Sequence, residues 1–160
     1  AVAQKEGRLQ RNFQGYSTHA DCDLLAIGIS AISKMGTVYS QNCKTLDEYY
    51  ARLDRHELPV ARGYELSTDD LLRRAVIQAL MCHFELDPAQ IERAYGIRFS
   101  EYFSLEWEEL RELEAAGLVS MEGEALRVLP AGRLLVRAVA MVFDRYLRAD
   151  RQKTRYSKVI

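Results

Sequence analysis

Cysteine is scarce in this chain. Cys22, Cys43 and Cys82 stand too far apart for a metal knuckle or a redox pair. An odd number of thiols, with no apolar signal-peptide core ahead of them, points to free thiols in a reducing, cytoplasmic compartment. Each is expected to be a partly buried, small apolar side chain. Histidine is equally sparse: His19, His56 and His83 have no ligand spacing, so no metal site is expected. His83 belongs on the back of a core helix, and His19 lies in a loop. Charge of one sign is also missing. The 22 Lys and Arg against 23 Asp and Glu leave a net charge of −1, which gives no field to gather nucleic acid or an anionic membrane. No apolar run approaches the roughly 20 residues that span a bilayer, and neither an internal repeat nor a low-complexity segment occurs. What is present is 48% hydrophobic and 28% charged residues in 160, the profile of a globular protein rather than a disordered one. That length admits one domain, or a small domain plus part of another.

Residues 1–44 read as the rim of something larger. A helix already under way stops at Gly7, where glycine can take the left-handed cap conformation. A short extended stretch leads into Asn12–Tyr16 and a polar loop over 17–21. Leu24–Ile32 is apolar on both faces, as in a strand covered on two sides, although so short a run does not exclude helix over 24–29. Alone it would expose too much apolar area, so it calls for a partner. Gly36 offers a turn and Thr37–Ser40 a second short strand. From Thr45 the chain reads as helical. Thr45 caps a helix ending near His56, and Ser67 opens one with a buried stripe expected through Leu71, Leu72, Ala75, Val76, Ala79 and Leu80. Asp87-Pro88 opens a short helix ending at Gly96. Ser104 is expected to cap a helix ending at Gly117, and the segments around 122–124 form a hairpin. One long helix then runs from Pro130 to about Leu147. The expectation is α+β, mainly α: short strands over 1–44, a helical, winged-helix-like domain over 45–150, and a basic, mobile tail over 151–160.

Two segments carry more than fold. Arg11-Asn12-Phe13-Gln14-Gly15-Tyr16 packs a guanidinium, two amides, two aromatics and a glycine into six residues. Asp23–Ser33 is an apolar run broken by one glycine and small hydroxyls, which lets a backbone approach a ligand closely. Together with Phe143-Asp144-Arg145-Tyr146-Leu147 and the Ser157-Lys158-Val159-Ile160 end, they resemble the oxygen-independent coproporphyrinogen III oxidases. These are radical S-adenosylmethionine enzymes of haem biosynthesis. The resemblance implies an enzyme that uses a reduced [4Fe–4S] cluster to cleave S-adenosylmethionine to a 5′-deoxyadenosyl radical. The radical takes a hydrogen from a substrate propionate, and loss of carbon dioxide and an electron leaves a vinyl group. Two such events turn coproporphyrinogen III into protoporphyrinogen IX. Such enzymes hold the cluster on a Cys-x-x-x-Cys-x-x-Cys loop, because three thiolates must reach three irons of one cube. That loop is absent here. The resemblance therefore implies the C-terminal part of the enzyme, with the barrel upstream as its partner, the strands of 1–44 as the barrel's edge, and no catalytic residue of its own.

In this family the positions matching Phe13, Gln14 and Ile32 are associated with a second bound S-adenosylmethionine. The chemistry fits: an aromatic to stack, an amide to read polar edges, an aliphatic to close the pocket. Ser30 and Ser33 offer hydroxyls nearby. Arg11 and Arg62, with Arg73 and Arg74 behind them, are candidates for holding the four propionates of coproporphyrinogen III, since guanidinium forks suit carboxylates. Their ordinary use is as solvated charges or as ion-pair partners of Glu65, Asp69 or Asp70. The competing reading is a non-catalytic winged-helix module that binds nucleic acid or a protein, with Arg93 and Arg98 near a recognition helix and Arg127 in the wing. Glu101, Glu106, Glu108, Glu109, Glu112 and Glu114 oppose it, because phosphate binding needs clustered positive charge.

Overall fold

A computed structural model describes residues 2–19, 22–122 and 125–152, without side chains for 150–152. The chain opens with a short helix α1 (Val2–Lys5), closed by Gly7 at φ +68° as expected. Two three-residue strands follow, β1 (Gln10–Asn12) and β2 (Gly15–Ser17), paired antiparallel with Arg11 opposite Tyr16. The expected extended stretch and Asn12–Tyr16 thus form a hairpin whose turn is Phe13-Gln14; of the polar loop expected over 17–21, Ser17 ends β2 and residues 20–21 lie outside the described residues.

The strand expected over Leu24–Ile32 does not form. Only Leu24 bridges to the next strand, through two hydrogen bonds with Lys34 of 2.7 and 2.8 Å. The segment after it leaves the ladder, with Leu25 72% and Ile27 87% exposed. Side chains and not strand pairing hold it: Ser33 Oγ accepts the Ala26 N–H, and the Asn42 amide donates to the Gly28 carbonyl. No layer among the described residues covers this apolar run, so Leu25, Ile27 and Ile29 stay exposed. Cys22 is likewise exposed, against expectation, whereas Cys43 and Cys82 are buried.

A three-stranded antiparallel sheet follows, ordered β3 (Ile32–Met35), β4 (Val38–Asn42) and β5 (Val60–Glu65). Helix α2 (Leu46–Leu53) connects β4 to β5 and is capped by Thr45; it ends three residues before His56. Strand β5 has no sequence signature, because most of its side chains are exposed and only its backbone pairs.

The core belongs to the second part. Helix α3 (Thr68–His83) starts in a capping box in which Ser67 and Asp70 bond each other reciprocally. It buries Leu72, Val76 and Leu80 of the expected stripe, while Leu71, Ala75 and Ala79 are half-buried. Beyond it come β6 (Glu85–Leu86), α4 (Pro88–Tyr95), α5 (Phe99–Tyr102), α6 (Ser104–Ala115), β7 (Val119–Ser120) and β8 (Leu126–Val128). Asp87 caps α4 and Gly96 closes it, as read from the sequence. Ser104 does not cap α6: it is the first helical residue, because the separate turn of α5 runs directly into α6. The expected hairpin pairs β7 with β8, its turn at 123–124 lying outside the described residues, and β6 adds an unforeseen third strand in the order β6-β8-β7.

The predicted last helix is three pieces: a 3-10 turn (Pro130–Leu135), α7 (Val136–Met141) and α8 (Arg145–Gln152). Gly132 explains the first piece. A Cβ there would overlap the Leu118 carbonyl oxygen, which already accepts the Leu129 N–H. Asp144 explains the last break, since its carboxylate accepts the backbone N–H groups of Tyr146 and Leu147 and so caps α8. Helix α8 overruns the expected start of the tail at 151, and the tail from 153 lies outside the described residues. Phe99, Phe103 and Phe143 form the middle of the core, with ring centroids 4.6 Å apart for the first pair and 5.3 Å for Phe103–Phe143. Burying each such ring contributes about 1.5–3 kcal/mol.

Candidate functional site

The Phe13-Gln14 turn is held in place from two sides. Gln78 of α3 accepts the Arg11 backbone N–H at 3.1 Å and donates to the Arg11 carbonyl. One side chain thereby satisfies both backbone groups of a residue, as a neighbouring strand would. Cys82 donates to the same Gln78 oxygen at 3.3 Å. On the other side the Phe13 ring meets Tyr39 edge to face at 5.4 Å. Two-stranded hairpins are marginal alone, so these anchors fix the turn. Within it, Asn12 Oδ1 accepts the Gln14 N–H at 2.8 Å. The Gln14 side chain is exposed and has no hydrogen-bond partner among the described residues, and Phe13 is also exposed.

Strand register places the other predicted residues. Ile32 pairs with Gln41, Lys34 with Tyr39, Tyr39 with Tyr64, and Gln41 with Arg62. Cross-strand partners and every second residue share a face, so Ile32, Lys34, Tyr39, Gln41, Arg62 and Tyr64 lie together. Phe13 stands on this face through Tyr39. Arg62 is committed to Gln41, which accepts from it at 2.9 Å and itself donates to the Ser30 carbonyl. Of the two serines, Ser33 is buried and bonded to Ala26, and Ser30 takes a left-handed φ of 58° while its N–H meets the Cys43 carbonyl. His19 sits exposed with its N–H on Ser17 Oγ.

Between the hairpin, this sheet face, α3 and the start of α8 lies a cleft of about 620 Å³. Its walls are apolar at Phe13, Leu24, Tyr39, Leu66, Ile77 and Met81. Arg11, Lys34 and Arg74 line it without an ion-pair partner among the described residues. Arg11 and Arg74 are two of the four arginines that the family resemblance offers for the propionates. Lys34 is not among those candidates, because only its pairing with Tyr39 brings it to the cleft. Neither Gln14, Ile32 nor Arg62 lines it.

One end of the cleft is a network of buried charge, with Asp70 and Glu106 only 7% and 3% exposed. Arg73 grips Asp69 through Nε at 2.9 and 3.1 Å, and donates through Nη1 to Glu106 at 2.8 Å and the Phe143 carbonyl at 3.1 Å. Its guanidinium also stacks on Phe103 at 5.2 Å. Arg145 bridges Asp69 at 2.5 Å and Asp70 at 3.2 Å. Tyr146 donates to Asp70 at 2.8 Å and meets the Tyr64 hydroxyl. Burial works to raise the Asp70 carboxyl, but hydrogen bonds from Ser67 and Tyr146 and the charge of Arg145 outweigh it and hold it low. Asp69 is lowered in the same way, burial being overcome by Tyr102, Arg73 and Arg145. The hydrogen bond to Tyr64, together with burial, pushes the Tyr146 hydroxyl up to about 12. Arg73 is therefore a structural cation, as the ion-pair reading of the sequence anticipated, and the network ties α8 to the start of α3.

Fit to cofactors divides by type. Among the described residues no group of three His, Cys, Asp or Glu side chains could hold a metal ion, so these residues offer no cluster seat. An exposed ring beside an uncommitted amide, on an anchored turn, does suit an adenosyl ligand. No described helix is long and apolar enough to cross a membrane.

Comparison with known proteins finds relatives along the whole chain. Residues 66–135 match the HemN C-terminal domain family. Over 160 residues the chain is 47% identical to the oxygen-independent coproporphyrinogen III oxidase of Pseudomonas aeruginosa, covering 100% of this chain and 35% of that protein. The namesake of Escherichia coli is 45% identical with the same coverage. A solved structure, described as the Escherichia coli coproporphyrinogen III oxidase (HemN), a radical SAM enzyme, superposes with a TM-score of 0.88 at 45% identity. That match covers 91% of this chain and 34% of the other. The chain thus spans about a third of the length of these relatives. Its residues 66–135 carry the HemN C-terminal domain, and over its full length the chain is similar to the oxygen-independent coproporphyrinogen III oxidases.

Proposed function

We propose that this chain is the C-terminal part of a cytoplasmic enzyme that converts two propionates of coproporphyrinogen III to vinyls, giving protoporphyrinogen IX. Residues 1–44 supply the edge of the upstream radical barrel and 45–150 a cap over its mouth, β5 being the one strand of the second part that returns to the first. The exposed apolar segment Leu25–Ile29 supports a barrel partner, because burying it would remove the largest run of wet apolar side chains near the turn. The order of helix, short strand, helices and strand pair over 68–128 supports a winged-helix-like cap.

The observation that carries the pocket is the uncommitted Gln14 amide beside an exposed Phe13, on a turn anchored by Gln78. Phe13, Gln14 and Ile32 would hold S-adenosylmethionine, the second of two in the full enzyme. When bound at the upstream cluster, S-adenosylmethionine supplies the radical that takes the propionate hydrogen. This chain's residues orient that chemistry and exclude water from it.

A nucleic-acid function is disfavoured, since Arg98, Arg111 and Arg127 are each paired with a glutamate, at 3.1, 3.6 and 3.1 Å. The test is a Phe13→Ala, Gln14→Ala, Ile32→Ala variant of the full-length protein. Turnover is expected to fall at least about a hundredfold while the cluster absorbance persists, because misplacing a reactant costs rate and not metal. Unchanged turnover in this folded variant refutes the pocket.

A further inference from the structure

We infer that Arg11, Lys34 and Arg74 form a carboxylate-binding site inside the cleft, gripping the acidic side chains of an amphiphilic ligand whose apolar body lies on Phe13, Tyr39 and Met81. The cleft is lined by five cations, Arg11, Lys34, Arg73, Arg74 and Arg145, against two carboxylates, Asp70 and Asp144, in a chain whose net charge is −1. The carboxylates do not neutralise the three free cations. Asp70 is consumed by Ser67, Tyr146 and Arg145, and Asp144 caps α8. Arg73 and Arg145 are consumed in turn by Asp69, Asp70 and Glu106. Among the described residues, what remains facing the cavity is positive and unpaired, on walls that are mostly apolar.

Three elements present the three cations. Arg11 comes from the hairpin, its backbone locked by Gln78; Lys34 from the sheet; and Arg74 from α3, one residue beyond Arg73. Cations converging from three elements suit a ligand with several separated carboxylates better than a single small anion. A cleft of about 620 Å³ falls within the size of cavities that enclose organic ligands. This inference rests on the function proposed above for the ligand's identity: the carboxylates are propionates of the tetrapyrrole. Arg62, committed to Gln41 outside the cleft, has no part in it.

The experiment titrates the full-length protein with coproporphyrin III, a stable tetracarboxylate, and with its uncharged tetramethyl ester, following porphyrin fluorescence. Lys34→Met and Arg74→Gln should each weaken the tetracarboxylate about tenfold or more, the worth of one charge-assisted hydrogen bond. The triple variant with Arg11→Gln should bind acid and ester alike. Lys34→Arg should recover most of the loss, and Arg127→Gln, whose side chain pairs with Glu85 on the surface, should bind as wild type. Unchanged affinity in the triple variant, or equal wild-type affinity for acid and ester, overturns the site and assigns these cations to upstream protein. Failure of the function is a separate result: weakened tetracarboxylate binding in a protein that never decarboxylates coproporphyrinogen leaves the site standing and removes the reaction.

Discussion

Two glutamates make ion pairs of similar length in this molecule and should differ sharply in worth. Glu106 accepts from Arg73 at 2.8 Å and from Arg148 at 3.2 Å with its side chain 4% exposed. Glu85 accepts from Arg127 at 3.1 Å with 52% exposure. Breaking a buried pair costs about 3–5 kcal/mol when it strands a charge. Glu106→Gln does not fully strand Arg73, which keeps Asp69 on Nε, the Phe143 carbonyl and the face of Phe103. The expected loss is therefore lower, about 2 kcal/mol. An exposed pair contributes about 0.2–1 kcal/mol, so Glu85→Gln should cost less than 1. Urea unfolding followed by Trp107, the single tryptophan, which packs on Phe99 at 5.6 Å, reads both. With a slope of about 2 kcal/mol/M, Glu106→Gln should lower the midpoint by about 1 M and Glu85→Gln by less than half that. Raising salt to about 1 M should shrink only the Glu85 effect, since screening reaches exposed charge. Equal losses for the two variants, or a Glu106 effect that vanishes with salt, refute the claim that burial sets the value of this network.

Three further outcomes follow from the same geometry. Asp69 and Asp70 have folded pKa values below their unfolded ones, so the stability they contribute is complete above the ordinary carboxylate range near pH 4 and is lost as pH falls through the lowered folded values. A Tyr146→Phe variant, which takes one hydrogen bond from Asp70, should move that acid limb to higher pH in an unfolding titration; an unmoved limb contradicts the assignment. Gln78→Ala should speed hydrogen exchange of amides in residues 11–16 while leaving α3 protected, because it frees the turn and leaves the core intact; unaltered exchange there means the hairpin is held by something else. Gly132→Ala should cost about 3 kcal/mol or more, since the Leu118 carbonyl must move and give up the Leu129 N–H; a loss under 1 kcal/mol on urea unfolding would contradict the packing described.

Sequence and structure agree where the deciding physics is local. Thr45, Ser67 and Asp87 announce helix starts because a capping oxygen needs only the next turn, and Gly7 and Gly96 announce stops because φ is a property of one residue. Strand β5 was invisible: an edge strand with exposed side chains carries no hydrophobic alternation, and β4 alone makes it a strand. The sequence reads as one helix from Pro130 to about Leu147, and the chain breaks it at Asp144, whose carboxylate caps α8. Beside the break the Phe143 carbonyl accepts from Arg73, seventy positions earlier, a contact that no local pattern announces. The turn at Phe13-Gln14 was legible through its motif. The free cations were not, since an arginine is uncommitted only once every neighbour's partner is known, and Arg73 and Arg74 are adjacent yet opposite in that respect.

The central claim is that this chain completes an enzyme acting on coproporphyrinogen III. The most direct measurement is product analysis of the full-length protein, its cluster reconstituted anaerobically, given coproporphyrinogen III, S-adenosylmethionine and a reductant. Protoporphyrinogen IX is the expected product, with two carbon dioxides released per substrate and 5′-deoxyadenosine formed alongside. Cleavage of S-adenosylmethionine by a loaded cluster, with every propionate of coproporphyrinogen left intact, would contradict the claim.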